Sequence, residues 1–163
     1  MLFRSGKVQI SEHEAIFRHV LRKYKPELLG KTIDEQAEVD QFITFWAKAN
    51  AKIRGFCYSP AAKDATEEAR KAVLDEHKPQ LTSIDKSLES RKFTMGDHFT
   101  GADIFLFETY WMMKVMHKET AESYQNIARV AKNVEDEEWF KKYRASENWR
   151  EQLNGPTAHV NNI

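Results

Sequence analysis

From residue 11 onward, apolar residues recur at helical spacing, and only the first ten residues depart from that pattern. Lys7, Val8, Gln9 and Ile10 alternate polar and apolar behind a Ser5-Gly6 turn, which predicts one short strand. A strand needs a partner to be stable, and no other stretch of the chain reads convincingly as one. Ser11 with Glu14 has the spacing of a capping box, followed by an apolar stripe of Ile16, Phe17, Val20, Leu21 and Tyr24 that stops at Lys25-Pro26. Residues 26–31 form a linker with a glycine stop. Thr32 and Glu35 make a second box. It opens a long helix through Val39, Phe42, Ile43, Trp46, Ala49 and Ile53 to about Tyr58, before a break at Ser59-Pro60. A further helix is expected from about Asp64, with Glu67 suited to its cap, and Pro79 inside it predicts a kink or a one-turn interruption.

The stretch from Arg91 to Trp111 organises the rest. After a loop over Thr94–Phe99, Thr100 and Asp103 stand at capping-box spacing, and Phe99 and Ile104 at the spacing of a hydrophobic staple. The helix that follows is apolar on nearly every face, so it belongs in the middle of a helical domain. Later come a stripe of Ile127, Val130, Ala131 and Val134, a short apolar helix at Trp139, Phe140 and Tyr143, and an irregular tail. The expected fold class is all-α: a bundle of five or six helices behind one short strand.

The 163 residues amount to about one domain. Lys plus Arg and Asp plus Glu each number 25, so the balanced charge gives no footprint for nucleic acid or an anionic membrane. Cys57 is the single cysteine, which excludes an internal disulfide framework and suits a reducing compartment. With no signal-peptide shape and no run of transmembrane length, a cytoplasmic protein is expected. The six histidines offer no metal-ligand pair, so no metal is expected. The run Glu135 to Glu138 reads as a solvated helix boundary. Trp46, Phe56, Tyr58, Phe105, Phe107, Tyr110 and Trp111 either line a pocket or, as aromatic residues at helical spacing usually do, pack the core.

The string MGDxFTxADxFLFE, from Met95 to Glu108, resembles the core-helix motif of the C-terminal domain of glutathione transferases. Residues 37–60 resemble that domain's first long helix, and Cys57-Tyr58-x-Pro60 sits at the spacing of the mu class. Residues 9–24 look like the last strand and last helix of the family's thioredoxin-like domain, and residues 123–149 have the family cadence. The resemblance therefore implies residues 1–25 as a remnant of a thioredoxin-like domain and residues 32–163 as the helical domain.

The family reaction is attack of the glutathione thiolate on an electrophile, with glutathione as co-substrate. The resemblance places the thiol-activating tyrosine ahead of Met1 and the cis-proline about where Met1 stands. It thus implies no catalytic residue here and an N-terminally truncated chain, inactive by itself; whether it serves as an enzyme stays open. The alternative is a non-catalytic binding or scaffold module derived from such an enzyme. By resemblance Glu12 and His13 stand at the residual glutathione site, with His13 in place of the family's serine. Lys48 replaces an acidic residue that some members direct at glutathione, Tyr58 matches a tyrosine facing the electrophile, and Arg18 and Arg22 match arginines at the dimer two-fold. The implied partners are a second copy, or another protein covering the apolar face of Ile10, Ile16, Val20 and Leu21, and small electrophiles if the chain is active.

Overall fold

The computed structural model describes residues 3–161. Its N-terminal strand does have a partner. β1 (Phe3–Ser5) pairs antiparallel with β2 (Val8–Ile10), Phe3 opposite Ile10, about a tight turn where Gly6 takes φ +61°. The sequence reading missed β1 because three residues are too few to show alternation.

α1 (His13–Tyr24) starts later than its Ser11 signal implied. Glu12 is the N-cap residue and contributes no side-chain cap, so Ser11 falls in the two-residue link between hairpin and helix. A 3₁₀ turn, Pro26–Leu29, leads to Gly30 at φ +105°, where a Cβ would lie 2.7 Å from the backbone nitrogen of Gln36. α2 (Ile33–Cys57) begins as expected, with the Thr32 hydroxyl accepting from the Glu35 N–H at 3.1 Å. The Glu35 carboxylate takes the Lys31 N–H rather than completing the box at Thr32.

Pro79 makes the expected interruption, ending α3 (Glu67–Asp75) and standing second in α4 (Lys78–Ser87). α3 is capped by Thr66, whose hydroxyl accepts from the Ala69 N–H at 3.2 Å, rather than from Asp64. α5 (Gly101–Met116) is followed by α6 (Lys118–Ser123), α7 (Gln125–Asp136) and α8 (Glu138–Arg144). Eight α-helices among the described residues exceed the expected five or six. The surplus comes from the Pro79 split and from α6, which buries only Ala121 and so shows no stripe.

α5 runs through the centre, packed mainly against α2 and α7. Trp46, Leu106, Met112, Ile127 and Val130 have no exposed surface. Each large apolar side chain buried this way contributes about 1.5–3 kcal/mol. Both halves of the Thr100/Asp103 capping box close. The Asp103 carboxylate accepts from the N–H of Thr100 at 2.8 Å, from its hydroxyl at 3.1 Å, and from the Thr94 N–H at 2.6 Å. Thr100→Ala should therefore lower stability by about 0.5–2 kcal/mol. Ser123→Ala, at an exposed hydroxyl in α6, should stay within about 0.5 kcal/mol. Equal urea midpoints for the two variants would refute the difference.

α4 and α7 cap each other. Asp85 on α4 accepts from the N–H groups of Asn126 and Ile127, both at 2.9 Å, at the start of α7. Arg129 on α7 donates to the carbonyl of Leu88, the C-cap of α4, at 2.6 Å and to that of Arg91 in the loop beyond at 2.5 Å. Asp85→Ala strips these two N–H groups and the Asn126 side-chain amide of their acceptor and should cost about 1–3 kcal/mol in chemical denaturation. An unchanged midpoint would show that water replaces the carboxylate without loss.

Candidate functional site

α1 crosses the start of α5 at very short range, and Gly101 permits it. A Cβ there would lie 2.8 Å from Leu21 Cδ1 and 2.9 Å from Phe17 Cε1. Phe17 meets Phe105 edge-on at 4.9 Å, and the His13 ring stacks on Phe105 at 6.1 Å. Beyond this contact α1, α2 and α5 diverge around a cleft of about 610 Å³. Its walls are apolar: Ile16, Phe17 and Val20 from α1, Ala47 and Ala51 from α2, Ile104 and Phe105 from α5. Of the face expected to be bare, Ile16 and Val20 are thus half-buried in this wall, Ile10 lies outside it, and Leu21 is buried.

Four polar residues also line this cleft: His13, Asn50, Arg54 and Glu108. The Arg54 guanidinium pairs with the Glu108 carboxylate and also donates to the Leu153 carbonyl at 2.8 Å and to Asn154 Oδ1 at 3.2 Å. Asn50 is 6% exposed, and its Oδ1 has no hydrogen-bond partner. A trough with apolar walls and a few convergent polar groups suits a small, mostly apolar ligand with a polar end.

The residues singled out by sequence are only partly gathered here. His13 lines the cleft, half exposed, with Nδ1 3.0 Å from the Glu14 carboxylate. Glu12 is exposed at the start of α1 beside it. Arg18 donates to Asp40 at 2.7 Å and to Thr44 at 3.4 Å, joining α1 to α2 instead of standing free. Arg22 and Lys48 are exposed. Tyr58 follows α2, where its hydroxyl accepts from the Gly155 N–H at 2.6 Å and holds the C-terminal segment; the cleft lining on α2 ends at Arg54. Asn50, Arg54 and Glu108 were not anticipated. The one available signal was Glu108, a carboxylate past the capping turn of a mostly apolar helix.

Glu67, His117 and Glu119 also come together, with His117 Nε2 3.6 and 3.4 Å from the two carboxylates. His117 Nδ1 accepts from the Thr120 N–H at 3.1 Å, capping α6, so the neutral ring carries its proton on Nε2 and points it at the acids. A metal on Nε2 would move that proton to Nδ1, against the Thr120 N–H. The arrangement is a helix cap flanked by acceptors.

A long helix capped at Thr32, a buried central helix with its Asp103 box and a cleft between them define a glutathione transferase-type helical domain. Residues 49–147 match the glutathione S-transferase C-terminal domain family, and the chain belongs to it. It is 23% identical over 141 residues to glutathione S-transferase 2 of Gallus gallus, covering 86% of this chain and 61% of that one. With glutathione S-transferase Y-2 of Pichia kudriavzevii it shares 27% over 127 residues, covering 77% and 64%. The chain thus spans a little over three fifths of the length of these curated relatives. Among solved structures, the glutathione S-transferase Blo t 8 superposes with a TM-score of 0.81 at 14% identity, over 98% of this chain and 74% of that one. A pi-class enzyme of Onchocerca volvulus gives 0.68 at 22% identity, over 94% and 73%. These likenesses are of fold.

Proposed function

We propose that this chain is the acceptor-substrate half of a mu-like glutathione transferase, in which the cleft between α1, α2 and α5 receives the electrophile. The observation that carries the proposal is the cleft itself, with apolar walls from three helices and Asn50, Arg54 and Glu108 at its polar end. His13 and Glu12, at the start of α1, are assigned to the γ-glutamyl end of glutathione, because free N–H groups and the helix dipole there favour a carboxylate. The mu-like assignment rests on Cys57-Tyr58-x-Pro60. A homodimer is assigned to the same chain, with Arg22 at the two-fold and Arg18 acting through Asp40. The single buried thiol of Cys57, raised by burial and kept from easy oxidation, agrees with a cytoplasmic setting.

The test is calorimetric titration of the 163-residue protein with S-hexylglutathione, which carries both the peptide and an apolar tail. Ala51→Trp, filling the cleft, and His13→Ala should each weaken binding about tenfold or more, roughly 1.4 kcal/mol. Binding unaffected by both would sink the proposal. Light scattering tests the dimer, and a monomer across a broad concentration range would count against it. A second reading, a non-catalytic binding module, is favoured by the Tyr58 hydroxyl being taken up by Gly155 and by Lys48 at an acidic position. Retained partner binding with no S-hexylglutathione binding would select it.

A further inference from the structure

Of the nine arginines in the chain, five are half-buried. A guanidinium taken partly out of water needs acceptors for its N–H groups. Four of the five have them. Arg18 donates to Asp40, Arg54 to Glu108 and the Leu153 carbonyl, Arg91 to the Thr94 carbonyl at 2.9 Å, and Arg129 to the carbonyls of Leu88 and Arg91. Arg70, on α3, has no such partner: among the described residues its side chain makes no hydrogen bond or ion pair, and its Nε is sealed from solvent unmet. An unmet buried donor costs more when it is charged than when it is neutral. The fold therefore holds here a cation that it does not itself satisfy.

Arg70 lines a cavity of about 320 Å³ bounded by the chain after the 3₁₀ turn Pro60–Ala62, by α3, by the end of α5 and by the C-terminal segment. Lys63 and His159 line it too, both exposed and neither in an ion pair among the described residues. The backbone brings His159 there, since its N–H donates to the Cys57 carbonyl at 2.7 Å and pins the segment to the end of α2. Val115 and Val160 give the cavity an apolar side. Three donor side chains from three separate elements thus share one cavity, and the one carboxylate among its lining residues is Asp64.

Lys63 and Arg70 against Asp64 leave one uncompensated positive charge, which favours an anion over a cation. Asp64 decides which anion. An ionised carboxylate only accepts hydrogen bonds, so it repels a fully deprotonated oxyanion and favours one that still carries a hydroxyl. Near neutral pH inorganic phosphate keeps at least one proton, sulfate keeps none, and a phosphate monoester has mostly lost its last one. We infer that this cavity, separate from the cleft, is a site for hydrogen phosphate. Arg70 and Lys63 hold its oxygens through charge-assisted bonds, a ring N–H of His159 adds a third donor, and Asp64 accepts from the P–OH. The ion joins α3, the turn after α2 and the C-terminal segment, so its binding also stabilises the fold.

The test is calorimetry and thermal unfolding of the whole 163-residue protein at constant ionic strength, with sodium phosphate, sodium sulfate and glycerol 2-phosphate as probes. Phosphate should bind at least about tenfold tighter than either of the others and raise the unfolding midpoint as its concentration increases. Arg70→Gln should weaken phosphate binding about tenfold or more, and Lys63→Gln, at an exposed position where folding is not at risk, about threefold. Asp64→Asn should reduce the preference for phosphate over sulfate. Arg150→Gln removes a positive charge outside the cavity and should leave phosphate binding unchanged. Absence of phosphate binding, sulfate or glycerol 2-phosphate bound as tightly, indifference to both Arg70→Gln and Lys63→Gln, an unchanged preference in Asp64→Asn, or an equal loss in Arg150→Gln would each overturn the inference.

Discussion

Asp103→Ala is expected to remove about 3–6 kcal/mol of stability, a large part of what a domain of this size has. The carboxylate has no exposed surface and is the acceptor for the backbone N–H groups of both Thr94 and Thr100. Alanine leaves both donors facing a small apolar void, at about 1–3 kcal/mol each. It also opens the cap of the most buried helix and releases the loop from Thr94 to Phe99. Asp103→Asn keeps the shape but offers an NH₂ to one of the two donors, so it should recover less than half. Urea denaturation followed by circular dichroism gives the measurement, and a loss below about 1 kcal/mol for Asp103→Ala would show that the loop rearranges to satisfy its own backbone.

The same residue has a signed pH dependence. Burial pushes the Asp103 carboxyl above the ordinary aspartate range, while hydrogen bonds from Thr94 and Thr100 pull the other way without reversing it. The folded state therefore holds this proton more tightly than the unfolded state. The stabilisation linked to it is complete below the unfolded pKa, about 3.9, and is lost as pH rises through the higher folded value. The stability gap between the native protein and Asp103→Ala should accordingly be widest in acid and narrow upward from about pH 4. A gap that widens with pH would mean that the hydrogen bonds outweigh burial.

The second large effect concerns turnover. Assayed alone with saturating glutathione and a chlorodinitrobenzene, the 163-residue chain should show kcat/KM at least about 10³-fold below that of a full-length transferase. A free thiol with pKa about 8.5 is mostly protonated near neutrality, and only the thiolate attacks well. Activation requires a donor held against the sulfur. Of the tyrosines, Tyr58 lies outside the cleft, its oxygen accepting from the Gly155 N–H, and the cleft lining contains none. His13, the residue nearest the proposed peptide end, is half exposed and engaged with Glu14. A thiol bound this loosely also loses the positioning that converts a bimolecular step into a unimolecular one. Turnover comparable to the full-length enzyme and lost in His13→Ala would show that the helical domain assembles an activating site by itself.

What the sequence determined alone is whatever neighbouring residues settle among themselves. The cap of α2 at Thr32, the break at Pro79 and the box at Thr100 and Asp103 are legible because a cap joins residues three apart and a proline acts on its own turn. The burial of α5 could be read from its apolar surface all round. Tertiary structure alone decided that Asp85 and Arg129 exchange caps between α4 and α7, that Arg54 meets Glu108 across 54 positions, and that Tyr58 reaches Gly155 across 97. It also tied Arg18, which the resemblance had matched to the dimer two-fold, to Asp40 of its own chain. A single polar side chain in an apolar helix has no periodicity to announce its partner. Which face it takes, and whether a cleft or another helix lies there, depends on how whole helices pack, and at Gly101 on the absence of one methyl group.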